Sequence, residues 1–174
     1  DTVLGRNARD DLNLRGGDDV LFGRAGADRV QGKAGDDQTE GGRGKDRLQG
    51  QAGEDTLLGG PGSDTLLGGR DADLLAGGTG GDRLRGGGGR DEIHGGRGDD
   101  LLAGNRGRDR LDGGAGDDTL KGGGGADTFV YNGGADLVRG FADDIDTLLL
   151  SSALWQGDLG ARQVVRDFAD RTEA

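Results

Sequence analysis

The chain has no cysteine and no methionine, and only one proline, one histidine and one tryptophan in 174 residues. Without cysteine, disulfides and thiolate metal sites are excluded. Aromatic residues make up 3% and hydrophobic residues 30% of the sequence, too little apolar volume for a conventional globular core. No apolar run approaches the roughly 18 residues that a membrane-spanning helix needs. Neither a secretory leader nor an initiator methionine opens the sequence, so a fragment or a processed product is expected. Catalysis has little to work with: His94 is the one histidine, and the serines are Ser63, Ser151 and Ser152. The expectation is a chain that is not itself an enzyme, attached to a parent protein that can carry a separate catalytic domain. Basic residues are the minority, 22 against 33 acidic, giving a net charge of -11. That balance argues against nucleic acid and anionic membranes as partners of the metal-free chain.

What is abundant is glycine, 42 residues, and aspartate in strict register. Aspartate recurs every nine residues at Asp1, Asp10, Asp19, Asp28, Asp37, Asp46, Asp55, Asp64, Asp73, Asp82, Asp91, Asp100, Asp109, Asp118, Asp127 and Asp136. An apolar residue follows two places later throughout, from Val3 and Leu12 to Phe129 and Val138, with Thr39 as the exception. Composition of this kind, taken alone, describes a disordered acidic linker. A linker has no reason to hold an apolar side chain two places after every aspartate, so the register excludes it.

Counting each unit from five residues before its aspartate gives fifteen complete units between Gly5 and Arg139. Position 1 is glycine except at Leu14 and Tyr131, and position 4 is glycine except at Ala8 and Asp71. Position 2 is glycine in eight units, mostly from Gly42 onward. The segments GGPGSDTLL (59–67) and GGAGDDTLK (113–121) show the pattern GGxGxDxUx, with U apolar. On these residues the chain resembles the RTX, or haemolysin-type calcium-binding, nonapeptide-repeat family over residues 1–139. The resemblance implies an all-β fold, a right-handed parallel β-roll with two nonapeptides per 18-residue turn.

The residue types make physical sense at this spacing. Three residues around U suffice for a very short strand whose alternation sends U inward and its neighbours to solvent. The six preceding residues are expected to turn the chain, and glycine supplies the positive φ that turns require. Ordering nine residues in exchange for one buried apolar side chain is a losing trade. Stacked aspartates worsen it by placing like charges about 5 Å apart. A cation between turns is needed, and calcium, which takes six to eight oxygen ligands, suits carboxylates mixed with backbone carbonyls.

The family resemblance further implies that each ion lies between unit n and unit n+2. Its ligands would be the aspartates of two columns. One is Asp19, Asp37, Asp55, Asp73, Asp91, Asp109 and Asp127; the other is Asp10, Asp28, Asp46, Asp64, Asp82, Asp100, Asp118 and Asp136. Backbone carbonyls of turn residues such as Gly42, Gly44, Gly60, Gly62, Gly78, Gly80, Gly87, Gly89, Gly96, Gly98, Gly114 and Gly116 would complete the shell. Neighbours within the columns define up to thirteen sites, and filling all of them would move the formal charge from -11 to +15. Fifteen units stack into a rod about 36 Å long.

The period fails from Gly140, where Ile145 stands in the expected aspartate place. Residues 127–150 read as closing strands. Ala161, Val164, Val165 and Phe168 mark one face of a helix over 159–171, with Asp158 as N-cap and Trp155 as an anchor, so 140–174 is expected to cap the roll. Several motifs are by-products of the repeat: the Arg97-Gly98-Asp99 tripeptide, the RGG-like stretch at Arg85–Arg90 and the many GxG runs. No EF-hand loop fits, because the four glutamates, Glu40, Glu54, Glu92 and Glu173, never stand at its twelfth place.

Function follows as expectation. The chain is expected to be a calcium-binding module that folds on meeting extracellular calcium and supports secretion and stability of a larger secreted bacterial protein. The type I secretion machinery would be a partner of that parent protein. The alternative is a calcium-dependent binding module for anionic polysaccharide, using outward arginines such as Arg43, Arg47, Arg83, Arg85, Arg106, Arg108 and Arg110. No nucleic acid partner and no membrane span are expected.

Overall fold

The computed structural model describes residues 1–142 and 145–150, and in it the chain winds as a solenoid of parallel strands. The nine-residue period alternates successive strands between two sheets, so each sheet pairs residues 18 apart. Thr65–Arg70, for example, pairs with Arg47–Ala52 on one side and Arg83–Gly89 on the other, with Leu48, Leu66 and Leu84 in line. Among the described residues the first sheet has nine strands, from Thr2–Leu4 to Thr147–Leu150. The second has eight, from Asp11–Asn13 to Leu137–Arg139, and a short two-stranded ribbon joins Ala25–Gly26 to Arg43–Gly44. Two units per turn, as the resemblance implies, is the observed architecture.

Between the sheets run two files of apolar side chains, one from each sheet. Leu21, Val30, Leu48, Leu57, Leu66, Leu75, Ile93, Leu102, Leu111 and Phe129 have no solvent exposure. Thr39 stands in the file of the first sheet, stacked between Leu21 and Leu57, and its Oγ1 has no hydrogen-bond partner. Its residual 3% exposure means that the site excludes water as fully as a leucine position does.

The strands in the middle of the roll are longer than the spacing predicts. Thr56–Pro61, Thr65–Arg70 and Leu74–Thr79 each span six residues, running through position 3 of the next unit. Pairing skips one residue at position 1, between Leu67↔Arg85 and Gly69↔Gly87, and resumes at position 2. The corner is therefore made at positions 1 and 2 while ladder pairing continues. In these strands only positions 4 to 6 lie outside the strand, where a six-residue turn was expected.

Position 2 is also more constrained than its composition suggests. Of the seven residues that stand there in place of glycine, four, Arg24, Lys33, Gln51 and Asn105, have positive φ, between 79° and 94°. Most residues at position 4 share that conformation, including Asp71 at φ 72°. Close approach adds a second reason for glycine: a Cβ on Gly62 would lie 1.5 Å from the carbonyl oxygen of Gly44, one turn earlier.

At the C-terminal end the register shifts from 18 to 19 residues. Thr128–Tyr131 pairs with Thr147–Leu150, placing Phe129 opposite Leu148. The missing aspartate at Ile145 is thus a one-residue insertion, after which Asp146-Thr147-Leu148 resumes the repeat. Phe141 packs on Phe129 with ring centroids 5.9 Å apart. Tyr131, buried at a position 1, donates from its hydroxyl to the Gly134 carbonyl at 2.5 Å. The expected helix over 159–171, its Asp158 cap and Trp155 lie outside the described residues. Among those residues no helix is long and apolar enough to cross a membrane.

Candidate metal centres

Each repeat aspartate sits at the end of a turn, immediately before the strand that carries the inward residue. Its backbone carbonyl joins the ladder, as in Thr65 N–H donating to Asp46 O at 2.9 Å. Its side chain folds back toward the preceding turn, where one carboxylate oxygen accepts from the backbone N–H of the aspartate 18 residues earlier. The series includes Asp46 N–H to Asp64 Oδ1 at 2.7 Å, Asp64 N–H to Asp82 Oδ1 at 2.7 Å and Asp55 N–H to Asp73 Oδ1 at 2.9 Å. Turns of one column are thereby linked carboxylate to amide along the length of the roll.

The second carboxylate oxygen has no such partner. Oδ2 is buried without a hydrogen bond in Asp28, Asp37, Asp46, Asp55, Asp64, Asp73, Asp82, Asp91, Asp100, Asp109, Asp118 and Asp127. Leaving one buried charged acceptor unsatisfied is costly, and twelve in two columns is far beyond what native proteins tolerate without a compensating group. The interior aspartates between Asp19 and Asp136 are at most 4% exposed, so bulk water does not supply that group.

Burial pushes the carboxyls above their usual range. Asp64, Asp73 and Asp100 are raised to about 7, and Asp55, Asp109 and Asp136 to about 6. Desolvation is the leading cause in each. The N–H of the preceding turn opposes it, and the charge of the next aspartate in the column adds to it. The arrangement favours protons or cations over bare carboxylates.

What the site offers a cation is hard oxygen. Among the described residues no three carboxylate or imidazole side chains converge on one point, so a metal held here would take most of its ligands from the backbone. Glycine brings that backbone close. The position 2 carbonyl of Gly42 and the position 4 carbonyl of Gly44 press against Gly60 and Gly62 one turn on, and the position 1 carbonyl of Gly59 lies against Gly41 and its neighbour Asp46 Oδ2. Orphaned carboxylate oxygens among stacked carbonyls fit a hard divalent cation, with no nitrogen or sulfur donor in the set.

The RTX calcium-binding nonapeptide repeat is matched in four copies, over residues 1–39, 40–75, 76–111 and 103–138. The chain belongs to this family. Among curated proteins none matches the chain. The RTX register places Asp28 to Asp127 in two continuous buried columns, as the nine-residue spacing predicts. The ends differ. Asp10 is half-buried, and its Oδ2 accepts from the nearby N–H of Arg6. Asp19 Oδ1 meets the N-terminal amine of Asp1 at 2.5 Å.

Asp146 is a member that the strict nine-residue count passes over. Its Oδ1 accepts from Asp127 N–H at 3.0 Å, as the other RTX aspartates do one turn apart, and its Oδ2 accepts from Ala142 N–H at 2.9 Å. Permitting one inserted residue in the period, and noting that DTLLL (146–150) repeats DTLLG (64–68), recovers it. His94 lies on the outer face beside Glu92, with Nε2 to Oε1 at 3.1 Å, remote from both columns. Asp99, of the Arg97-Gly98-Asp99 tripeptide, accepts from Asp117 N–H of the following turn at 3.0 Å.

Proposed function

We propose that this chain is a calcium-triggered folding module of a larger secreted bacterial protein, with the aspartates of both columns, from Asp10 to Asp136, as side-chain ligands and turn carbonyls completing up to thirteen sites. The observation that carries this reading is the run of buried Oδ2 atoms, each one turn from the next and each without a partner. In this reading a calcium ion takes the place of the missing partner and cancels the repulsion along the column. The bound ions supply electrostatic clamping only; the chain's own carboxylates and carbonyls hold neighbouring turns in register, and the module has no catalytic part.

Family membership supports the extracellular setting. Extracellular calcium modules bind with dissociation constants of about 10⁻⁴ to 10⁻³ M. Such sites stay empty in a calcium-poor cytosol, where the chain remains unfolded and suited to export by a type I secretion machinery. They fill outside the cell. Each adds RT ln(1 + [Ca]/Kd) to the folded state, so many weak sites give a steep response. A calcium titration followed by far-ultraviolet circular dichroism tests this. A sigmoidal gain of strand signal near millimolar calcium is expected; a gradual, non-cooperative rise, or strand signal already complete in chelator, would overturn it.

A further inference from the structure

The two outer faces of the roll carry different charge. On the second sheet the outward residues flanking the core file are Arg29, Arg47, Arg83, Arg85, Lys121 and Arg139, with Asp11 the one carboxylate. On the first sheet they include Glu40, Glu92 and Asp112 against Arg110. All six of these flanking cations are exposed, and none has an ion-pair partner among the described residues. Arg110, by contrast, lies 3.7 Å from Glu92 on its own face. The seven arginines that sequence alone groups as outward therefore divide three ways. Arg47, Arg83 and Arg85 share the basic sheet, Arg110 belongs to the acidic one, and Arg43, Arg106 and Arg108 lie along the edges where the chain turns between sheets.

We infer that the outer face of the second sheet is a binding surface for an acidic polysaccharide. The inference rests on the calcium-folded state proposed above, because only the wound chain brings cations 18 residues apart into one plane. Arg29 and Arg47 stand on adjacent strands, about 5 Å apart, and Arg47 and Arg83 are two strands apart. Shallow grooves run over this surface, one between Arg47 and Arg83 and floored by Leu67 and Leu101, another between Arg29 and Arg47. Guanidinium groups pair with carboxylate or sulfate in a fork geometry that a flat array of acid groups can meet repeatedly.

The residues between the cations select the class of polyanion. Asn13, Gln31, Gln49, Thr65 and Thr119 interleave with the arginines and offer hydrogen bonds to hydroxyls. The face carries no aromatic side chain, which single-stranded nucleic acid needs for stacking and a membrane interface uses for anchoring. Its six cations are spread over strands spanning about 29 Å. That density is far below one charge per about 1.7 Å of duplex DNA, and it matches a sugar chain bearing one acid group every residue or two.

The test uses the full chain in calcium, with the roll verified by circular dichroism, titrated with dextran sulfate, polyglucuronate, neutral dextran, a DNA duplex and phosphatidylserine vesicles. Salt-dependent binding to the two acidic polysaccharides and none to neutral dextran is expected. Reversing the face with Arg47→Glu, Arg83→Glu and Arg85→Glu should weaken that binding at least about tenfold. An edge variant with the same charge change, Arg43→Glu, Arg106→Glu and Arg108→Glu, should shift it by less than about threefold. Equal loss in both variants would reduce the effect to net charge and overturn the inference, as would equal or tighter binding to duplex or vesicles. A folded roll indifferent to the acidic glycans would overturn it while leaving the calcium reading intact; a chain that fails to fold in calcium would remove both.

Discussion

Replacing Asp73 by asparagine should have opposite effects with and without calcium. The asparagine side chain keeps the oxygen that accepts from Asp55 N–H at 2.9 Å, so the link between turns survives. It removes the charge whose burial raises the Asp73 carboxyl from 3.8 to about 7. In the metal-free roll above pH 7 that burial costs about 4 kcal/mol, at about 1.4 kcal/mol per pH unit. The substitution removes this cost, offset by about 1 to 3 kcal/mol for an amide N–H left unsatisfied. The metal-free fold should therefore gain about 1 to 3 kcal/mol. In calcium the sign reverses. Asp73 borders two sites in its column, toward Asp55 and toward Asp91, and each contributes about 1.4 kcal/mol when calcium is ten times its Kd. About 3 kcal/mol of metal-derived stability should be lost. Thermal melts in calcium should show a lower midpoint for Asp73→Asn, while osmolyte-induced folding in excess chelator should need less osmolyte. Destabilisation under both conditions would refute the argument that the buried charge is what calcium offsets.

Acid should substitute in part for metal. Because the folded carboxyls titrate above their unfolded value of 3.8, the metal-free fold holds protons that the unfolded chain has released. Its stability is highest below about pH 4 and falls as pH rises toward 6 to 7. Circular dichroism in chelator should therefore show more strand at pH 4 than at pH 7.5, and the reverse order would contradict the burial described. Gly62→Ala, whose Cβ would lie 1.5 Å from Gly44 O, should cost at least about 3 kcal/mol in calcium. Gly88→Ala, with nothing within 4 Å of its Cβ, should stay within about 0.5 kcal/mol; similar melting points for the two would dispute the stacking of the turns. Thr39→Val removes a buried hydroxyl without a partner and should raise the melting point by the equivalent of about 1 kcal/mol, and a lower melting point would show that Oγ1 is satisfied.

The periodicity made the architecture legible because one nonapeptide contains its whole local instruction. It holds a corner, a carboxylate and one inward side chain, and stacking repeats that instruction without new long-range information. The inward file from Leu21 to Phe129 and the burial of the aspartates follow from counting by nine. Three things did not. Strand length was underestimated because glycine-rich positions 1 to 3 look like turn; in the roll their backbone pairs with the neighbouring turns. Asp146 was hidden by a single inserted residue, which shifts the pairing of Phe129 and Leu148 from 18 to 19. The charge of the faces needs a count by eighteen, since alternate units point to opposite sides; taken by nine, Arg47 and Arg110 look equivalent.

The central claim, that divalent ions clamp neighbouring turns, is tested most directly by amide hydrogen exchange along the roll. The amides to watch are those that bridge turns in the middle of both columns, such as Asp64 N–H to Asp82 Oδ1 in one and Asp55 N–H to Asp73 Oδ1 in the other. In millimolar calcium they should be protected, and in excess chelator at neutral pH they should exchange at the rate of an unfolded chain. Protection that persists undiminished without calcium would contradict the account.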